Sequence, residues 1–256
     1  MVEFRSFQVA PDCAWGTSAV AQELYAHAQD VPALKDEEET RIWRLEHPNH
    51  GHLFLKEYRL PRRRRWFASL ARSRAGRETR GLVAMTAADL PVAPPCFSVE
   101  RWEGSRLLSS FLVTCSLGQV RPLPVYLAGA GDEGLALCGE VGRLVRRMHD
   151  AGFGHFRLQA KNLMVREGRE LALLDAPYAC RWEAGCLPRR IRALDLSDLG
   201  GPTTPLTPAQ VNAILSGYRE AGDPVPGLKP AARVRFSLKL RRIAYYLHAI
   251  WTGHRP

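Results

Sequence analysis

The chain has 256 residues, 46% hydrophobic and 24% charged, the length and balance of a globular protein with one substantial core or two lobes rather than a disordered or fibrous one. No apolar run approaches the roughly 18 residues that span a bilayer, and the start, MVEFRSFQVAPDC, has no signal-peptide core, so the sequence is read as not exported. The 36 Lys and Arg outnumber the 26 Asp and Glu, giving a formal net charge of +10, which suits an anionic partner (membrane surface, phosphorylated glycan or nucleic acid) without choosing among them.

Arginine dominates that excess, in a run at Arg62–Arg65 and in clusters around Arg146, Arg189 and Arg241, although a GC-rich genome explains any single cluster equally well. The six cysteines, Cys13, Cys96, Cys115, Cys138, Cys180 and Cys186, show no paired metal-ligand spacing. Several sit in apolar runs, where a reduced thiol packs as a small hydrophobe, and the expected compartment is the reducing cytosol.

The first 39 residues read as an extension holding a short helix from Ser18 to His27. Thr40–His47 and His52–Leu60 are predicted strands, joined by the Pro48-Asn49-His50-Gly51 turn. His47, His50 and His52 invite a metal reading, but no further ligand pair accompanies them and the turn explains their exposure. In the second strand Phe54, Lys56 and Tyr58 share a face, and a lysine between two aromatics on a half-buried face needs a partner or an exit to solvent. A helix opening at Ser73 puts Ala75, Glu78 and Leu82 on one side, so Glu78 is the candidate partner of Lys56.

Leu90-Pro91-Val92-Ala93-Pro94-Pro95 ends that helix. Two apolar segments follow, Phe97–Trp102 and Leu107–Leu117, the second expected to close an N-terminal lobe at residue 117, with a hinge over Gly118–Pro124. From Leu137, the residues Val141, Leu144, Val145 and Met148 recur at helical spacing. The next stretch, Met148 to Asp175, reads as a helix stop at Ala151-Gly152, a tight loop, and a hairpin turning at Arg166–Arg169. Further helices are expected at Ala193–Leu199, carrying Asp195 and Asp198, and at Pro208–Tyr218. A basic amphipathic helix is expected over Val234–Trp251, to dock on the lobe above it or to lie on an anionic membrane.

Within Met148–Asp175, His155, Leu158, Asn162 and Asp175 follow one another as in the H-R-D-L-x-x-x-N loop and metal-binding aspartate of a protein-kinase-like fold. Phe54-Leu55-Lys56, the helix start Arg74-Ala75-Gly76-Arg77-Glu78, Leu90-Pro91-Val92, Ser110–Val113 and Met148–Gly152 complete the pattern. From Thr40 to Tyr218 the chain resembles the bacterial lipopolysaccharide kinase family, the heptose and Kdo kinases of the inner core. The resemblance implies an α+β, two-lobed, protein-kinase-like fold. Its small, mostly antiparallel lobe would cover residues 1–117, and its mainly helical lobe residues 118–256. It also implies ATP and magnesium as cofactors, with Lys56 on the nucleotide phosphates, Glu78 anchoring Lys56, and Asn162 and Asp175 holding the metal. The expected acceptor is a lipopolysaccharide core sugar or related anionic glycolipid, with peripheral membrane contact through the C-terminal helix and nucleic acid set aside.

One position departs from the pattern. Arg157, two residues after His155, stands where the catalytic aspartate belongs, and a guanidinium cannot accept a proton near neutral pH. Arg157 is expected to pair with Asp175 or Asp195 or to touch the transferred phosphate, whereas Asp150, at the preceding helix end, is expected to be solvated. Three readings stay open: a pseudokinase that keeps the fold, a working kinase with unusual acid–base chemistry, and a basic binding module for an anionic partner.

Overall fold

Alternating apolar residues build the first half of the chain. In a computed structural model that describes residues 2–60, 73–199 and 206–220, strands β3 (Thr40–His47) and β4 (Gly51–Arg59) pair in register so that Trp43 meets Leu55 and Leu45 meets Leu53. In β5 (Pro95–Glu103) and β6 (Arg106–Cys115), Phe97 meets Val113 and Val99 meets Phe111. These eight side chains lie on one face of the sheet and are almost fully buried, so each cross-strand pair removes apolar area from water.

Helix α1 (Ser18–Asp30), capped by Thr17 Oγ1 accepting from Val20 N–H, adds Leu24 and Ala28 to the same core. The opposite face carries Lys56 and Ser110, and there lies helix α2 (Arg74–Thr86), whose cap Ser73 accepts from Gly76 N–H. The N-terminal residues are not an appendage. Strand β1 (Val2–Val9) pairs antiparallel with β5, β2 (Lys35–Asp36) forms the far edge, and the order is β1-β5-β6-β4-β3-β2. A first compact unit ends at Gly118 and a second begins at Gln119.

The second unit starts within the expected hinge, which is structured: β7 (Val120–Pro122) pairs with β9 (Leu163–Arg166) and runs into α3 (Leu123–Leu127). Helix α4 (Gly131–Asp150) buries Leu137, Val141, Val145 and Met148 and packs against α6 (Pro208–Glu220). The two backbones touch. A Cβ at Gly142 would lie 2.1 Å from the Ile214 carbonyl oxygen, and one at Gly217 would lie 2.1 Å from that of Gly139. Helix α4 stops at Gly152, which takes a φ of 85° against the Trp182 carbonyl, a conformation open to glycine at little cost.

Beyond it come β8 (Phe153–Gly154), β9, β10 (Leu171–Leu173), β11 (Cys180–Arg181) and α5 (Arg189–Leu199). Strands β10, β9 and β7 form one small sheet, and β11 with β8 another. The arginine run at 62–65 and the expected C-terminal helix lie outside the described residues.

Candidate active site

In the first unit, the period-two rule aims Lys56 of β4 at α2. Its Nζ lies 3.2 Å from Glu78 Oε1 and 3.5 Å from Oε2. Glu78 is 2% exposed and Lys56 17%, so the pair is largely withdrawn from water, where its attraction is screened little. A third member was not anticipated: the Tyr58 hydroxyl donates to Glu78 Oε2, and the Tyr58 ring sits under both Lys56 and Arg74. The shared face of Lys56 and Tyr58 was the signal for it, but a period-two pattern does not say where a hydroxyl ends.

In the second unit, the residues between β8 and β10 form a loop locked at both ends. Asn162 N–H donates to the Gln159 carbonyl at 2.8 Å, and Leu174 N–H donates to the Asn162 carbonyl at 2.8 Å. The Asn162 side chain donates from Nδ2 to the Arg157 carbonyl at 3.0 Å. His155 Nε2, facing the Leu174 carbonyl at 3.1 Å, donates to it, since a carbonyl can only accept. These bonds bring His155, Arg157, Asn162 and the segment ending at Asp175 together. Phe156 and Asp175 have φ of 61° and 57°, a left-handed conformation that costs non-glycine residues of order 1–3 kcal/mol and persists where surroundings impose it.

At Phe156 that constraint comes from Asp195 of α5, which is fully buried. Its Oδ2 accepts from His155 N–H at 2.8 Å, and its Oδ1 from Phe156 N–H at 2.7 Å. His149 Nε2 lies 3.2 Å from Oδ2, and His149 Nδ1 lies 2.9 Å from the Tyr218 hydroxyl. A carboxylate accepts, so Nε2 carries a proton toward Asp195, and Nδ1 shares a hydrogen bond with the Tyr218 hydroxyl. Burial raises the pKa of that hydroxyl and keeps it a donor. Asp195 therefore does not pair with Arg157. Its clue in the sequence was a carboxylate set among Leu194, Leu196 and Leu199, all buried.

Arg157 pairs with Asp175: Nη1 lies 3.5 Å from Oδ2, with side chains 32% and 20% exposed. Asp150 is not simply solvated. Arg146 Nε donates to its two oxygens at 2.9 and 2.7 Å, and Arg192 Nη1 lies 3.7 Å away. Near the turn, His47 and His50 are engaged in ring contacts. His50 stacks on Trp15 at 4.0 Å with His47 beside it, and among the described residues no group of three or more His, Cys, Asp or Glu could hold an ion.

A mixed, antiparallel first unit with a buried lysine–glutamate pair, and a mainly helical second unit with a His-to-Asn loop and a strained aspartate, define a kinase-like protein. A solved structure described as WaaP in complex with acyl carrier protein superposes with TM-score 0.57 at 19% identity, covering 97% of each chain. A Toxoplasma gondii rhoptry antigen kinase domain follows at TM-score 0.48 and 14% identity, covering 82% of this chain and 81% of that one, too low to add weight. No curated protein matches the sequence. The profile of the Lipopolysaccharide kinase (Kdo/WaaP) family matches residues 32–218. The chain belongs to that family.

Proposed function

We propose that this protein is a pseudokinase of the lipopolysaccharide kinase family, one that binds ATP and serves the biosynthesis of a cell-envelope glycolipid without transferring phosphate at an appreciable rate. The observation that carries the reading is Arg157. The position from which a carboxylate would take the acceptor hydroxyl's proton holds a guanidinium directed at Asp175. Losing a positioned base costs about 10²–10⁴ in rate. The other elements argue for retained nucleotide binding. Lys56, fixed by Glu78 and Tyr58, would hold phosphate oxygens.

Asn162 and Asp175 offer an amide and a carboxylate oxygen, a donor set that suits magnesium when phosphates supply further ligands. The metal, when bound, would neutralise phosphate charge. Asp175 shares its carboxylate with Arg157 and Asn162 spends its Nδ2 on the loop carbonyl, so its amide oxygen is the atom offered.

Family membership makes a lipopolysaccharide core sugar the acceptor class to which the site would be addressed. The net charge of +10 and the basic C-terminal segment suit a cytoplasmic protein that touches an anionic membrane surface. Among the described residues no helix is long and apolar enough to cross a membrane.

The test is phosphotransfer to lipopolysaccharide core by the parent, Arg157→Asp and Asp175→Asn. The pseudokinase reading expects an inactive parent and activity in Arg157→Asp that is lost again on adding Asp175→Asn. An active parent silenced by Arg157→Asp would instead mean that Arg157 stabilises the transferred phosphoryl group, and the protein would be a working kinase.

A further inference from the structure

We infer that Arg157 serves as a built-in cation for bound nucleotide, so that this site takes ATP or ADP without a divalent metal; the inference rests on the nucleotide binding proposed above. A metal at a phosphate site does two things. It cancels charge between phosphates and a carboxylate that would otherwise repel them, and it fixes their geometry by bridging both. Arg157 is placed to do each.

Its guanidinium already lies 3.5 Å from Asp175 Oδ2, at ion-pair distance but beyond a short hydrogen bond. With five N–H donors in a planar fork it can keep one edge on Asp175 and turn the other to a phosphate oxygen, where arginine binds in bidentate fashion.

The base of Arg157 is held while its side chain is partly exposed. Its carbonyl accepts from Asn162 Nδ2 at 3.0 Å and from Gln159 N–H at 2.8 Å, which fixes where the stem starts. The side chain remains 32% exposed, leaving room for an incoming anion. Asp175, held at φ 57°, presents its carboxylate from a fixed backbone rather than following a ligand. A divalent ion arriving at Asp175 would sit within a few ångströms of a guanidinium, and like charges at that distance oppose each other. Arg157 and a metal would thus compete for the Asp175 carboxylate, and nucleotide would need only one of them.

Titration calorimetry with ATP, on the full chain, in excess EDTA and in magnesium, decides the matter. The parent is expected to bind with dissociation constants within about twofold of each other under the two conditions. Arg157→Gln, which keeps most of the stem and loses the charge, is expected to lose at least tenfold in EDTA and to regain binding in magnesium. Arg157→Lys keeps a charge without the fork and should fall between; melting of each ligand-free variant reports its folding. Binding by the parent in magnesium alone overturns this inference and leaves the proposed function standing. Equal binding by Arg157→Gln and the parent in EDTA overturns it too. No binding by the folded parent under either condition overturns both the nucleotide reading and the inference.

Discussion

Asp195 accepts the backbone N–H of His155 at 2.8 Å from 40 positions further along the chain. With the Phe156 N–H and His149 on the same carboxylate, three donors from two segments converge on one buried group. The loop carrying Arg157 is therefore held from α5 as well as by its own hydrogen bonds.

Asp195→Ala is expected to lower unfolding stability by about 3–5 kcal/mol, because buried donors keep their desolvation cost when their acceptor is removed. Asp195→Asn keeps one acceptor oxygen but turns an NH2 toward a donor, so a smaller loss is expected. Urea unfolding midpoints measure both. A loss below about 1 kcal/mol for the alanine variant would show that the loop is held by something other than this carboxylate.

The α4–α6 crossing predicts opposite signs for neighbouring glycines. Gly142→Ala drives a Cβ to 2.1 Å from a main-chain carbonyl, which the helices relieve only by separating, at a cost of about 1–3 kcal/mol or more. Gly139→Ala would meet only the flexible Arg143 guanidinium, at 3.6 Å. It should gain up to about 1 kcal/mol from helix propensity. Thermal melts of the two single variants check the contrast, and a neutral Gly142→Ala would mean that the helices lie further apart than described.

Alkaline pH should weaken the fold through Cys138. Burial in α4 pushes its thiol up to about 11 from 9.0. The folded state therefore holds this proton more tightly than the unfolded chain. Its contribution is complete below pH 9, declines as pH rises toward 11, and amounts to roughly 3 kcal/mol when lost. Tyr218, also raised by burial, adds in the same direction above pH 10. Cys138→Ala should flatten the stability profile between pH 9 and 11, measured by urea unfolding in steps of pH; an unchanged slope would remove Cys138 from the account.

The Lys56–Glu78 pair was legible in the sequence because strand and helix periodicities each aim one residue at the same layer. The hairpin around Asn162 was legible because apolar runs and a glycine turn are local signals. Strand β1 was not. VEFRSFQV alternates weakly, and its pairing with β5 spans most of the first unit, a relation that no local pattern carries. The partners of Asp195 were hidden for the same reason, and the partner of Arg157 was narrowed only to Asp175 or Asp195, of which the structure shows Asp175. Charge says that each needs a counterpart, but several candidates stood within reach of the chain, and only the folded loop chooses among them. The boundary between the two units does fall within the expected hinge, at Gly118–Gln119, but the pairing of Val120–Pro122 with β9 is something proline and glycine content does not foretell.

The place of β1 and α1 bears on how this protein can be cut. The family match begins at residue 32, after both elements have ended. A fragment trimmed to that match would take an outer strand from the six-stranded sheet and leave β5 with an open edge. It would also strip Leu24 and Ala28 from above Trp43, Leu45 and Phe97, baring apolar side chains beside unpaired backbone, the combination from which chains aggregate. The boundary of shared sequence and the boundary of the foldable unit are different lines here, and expression should follow the second.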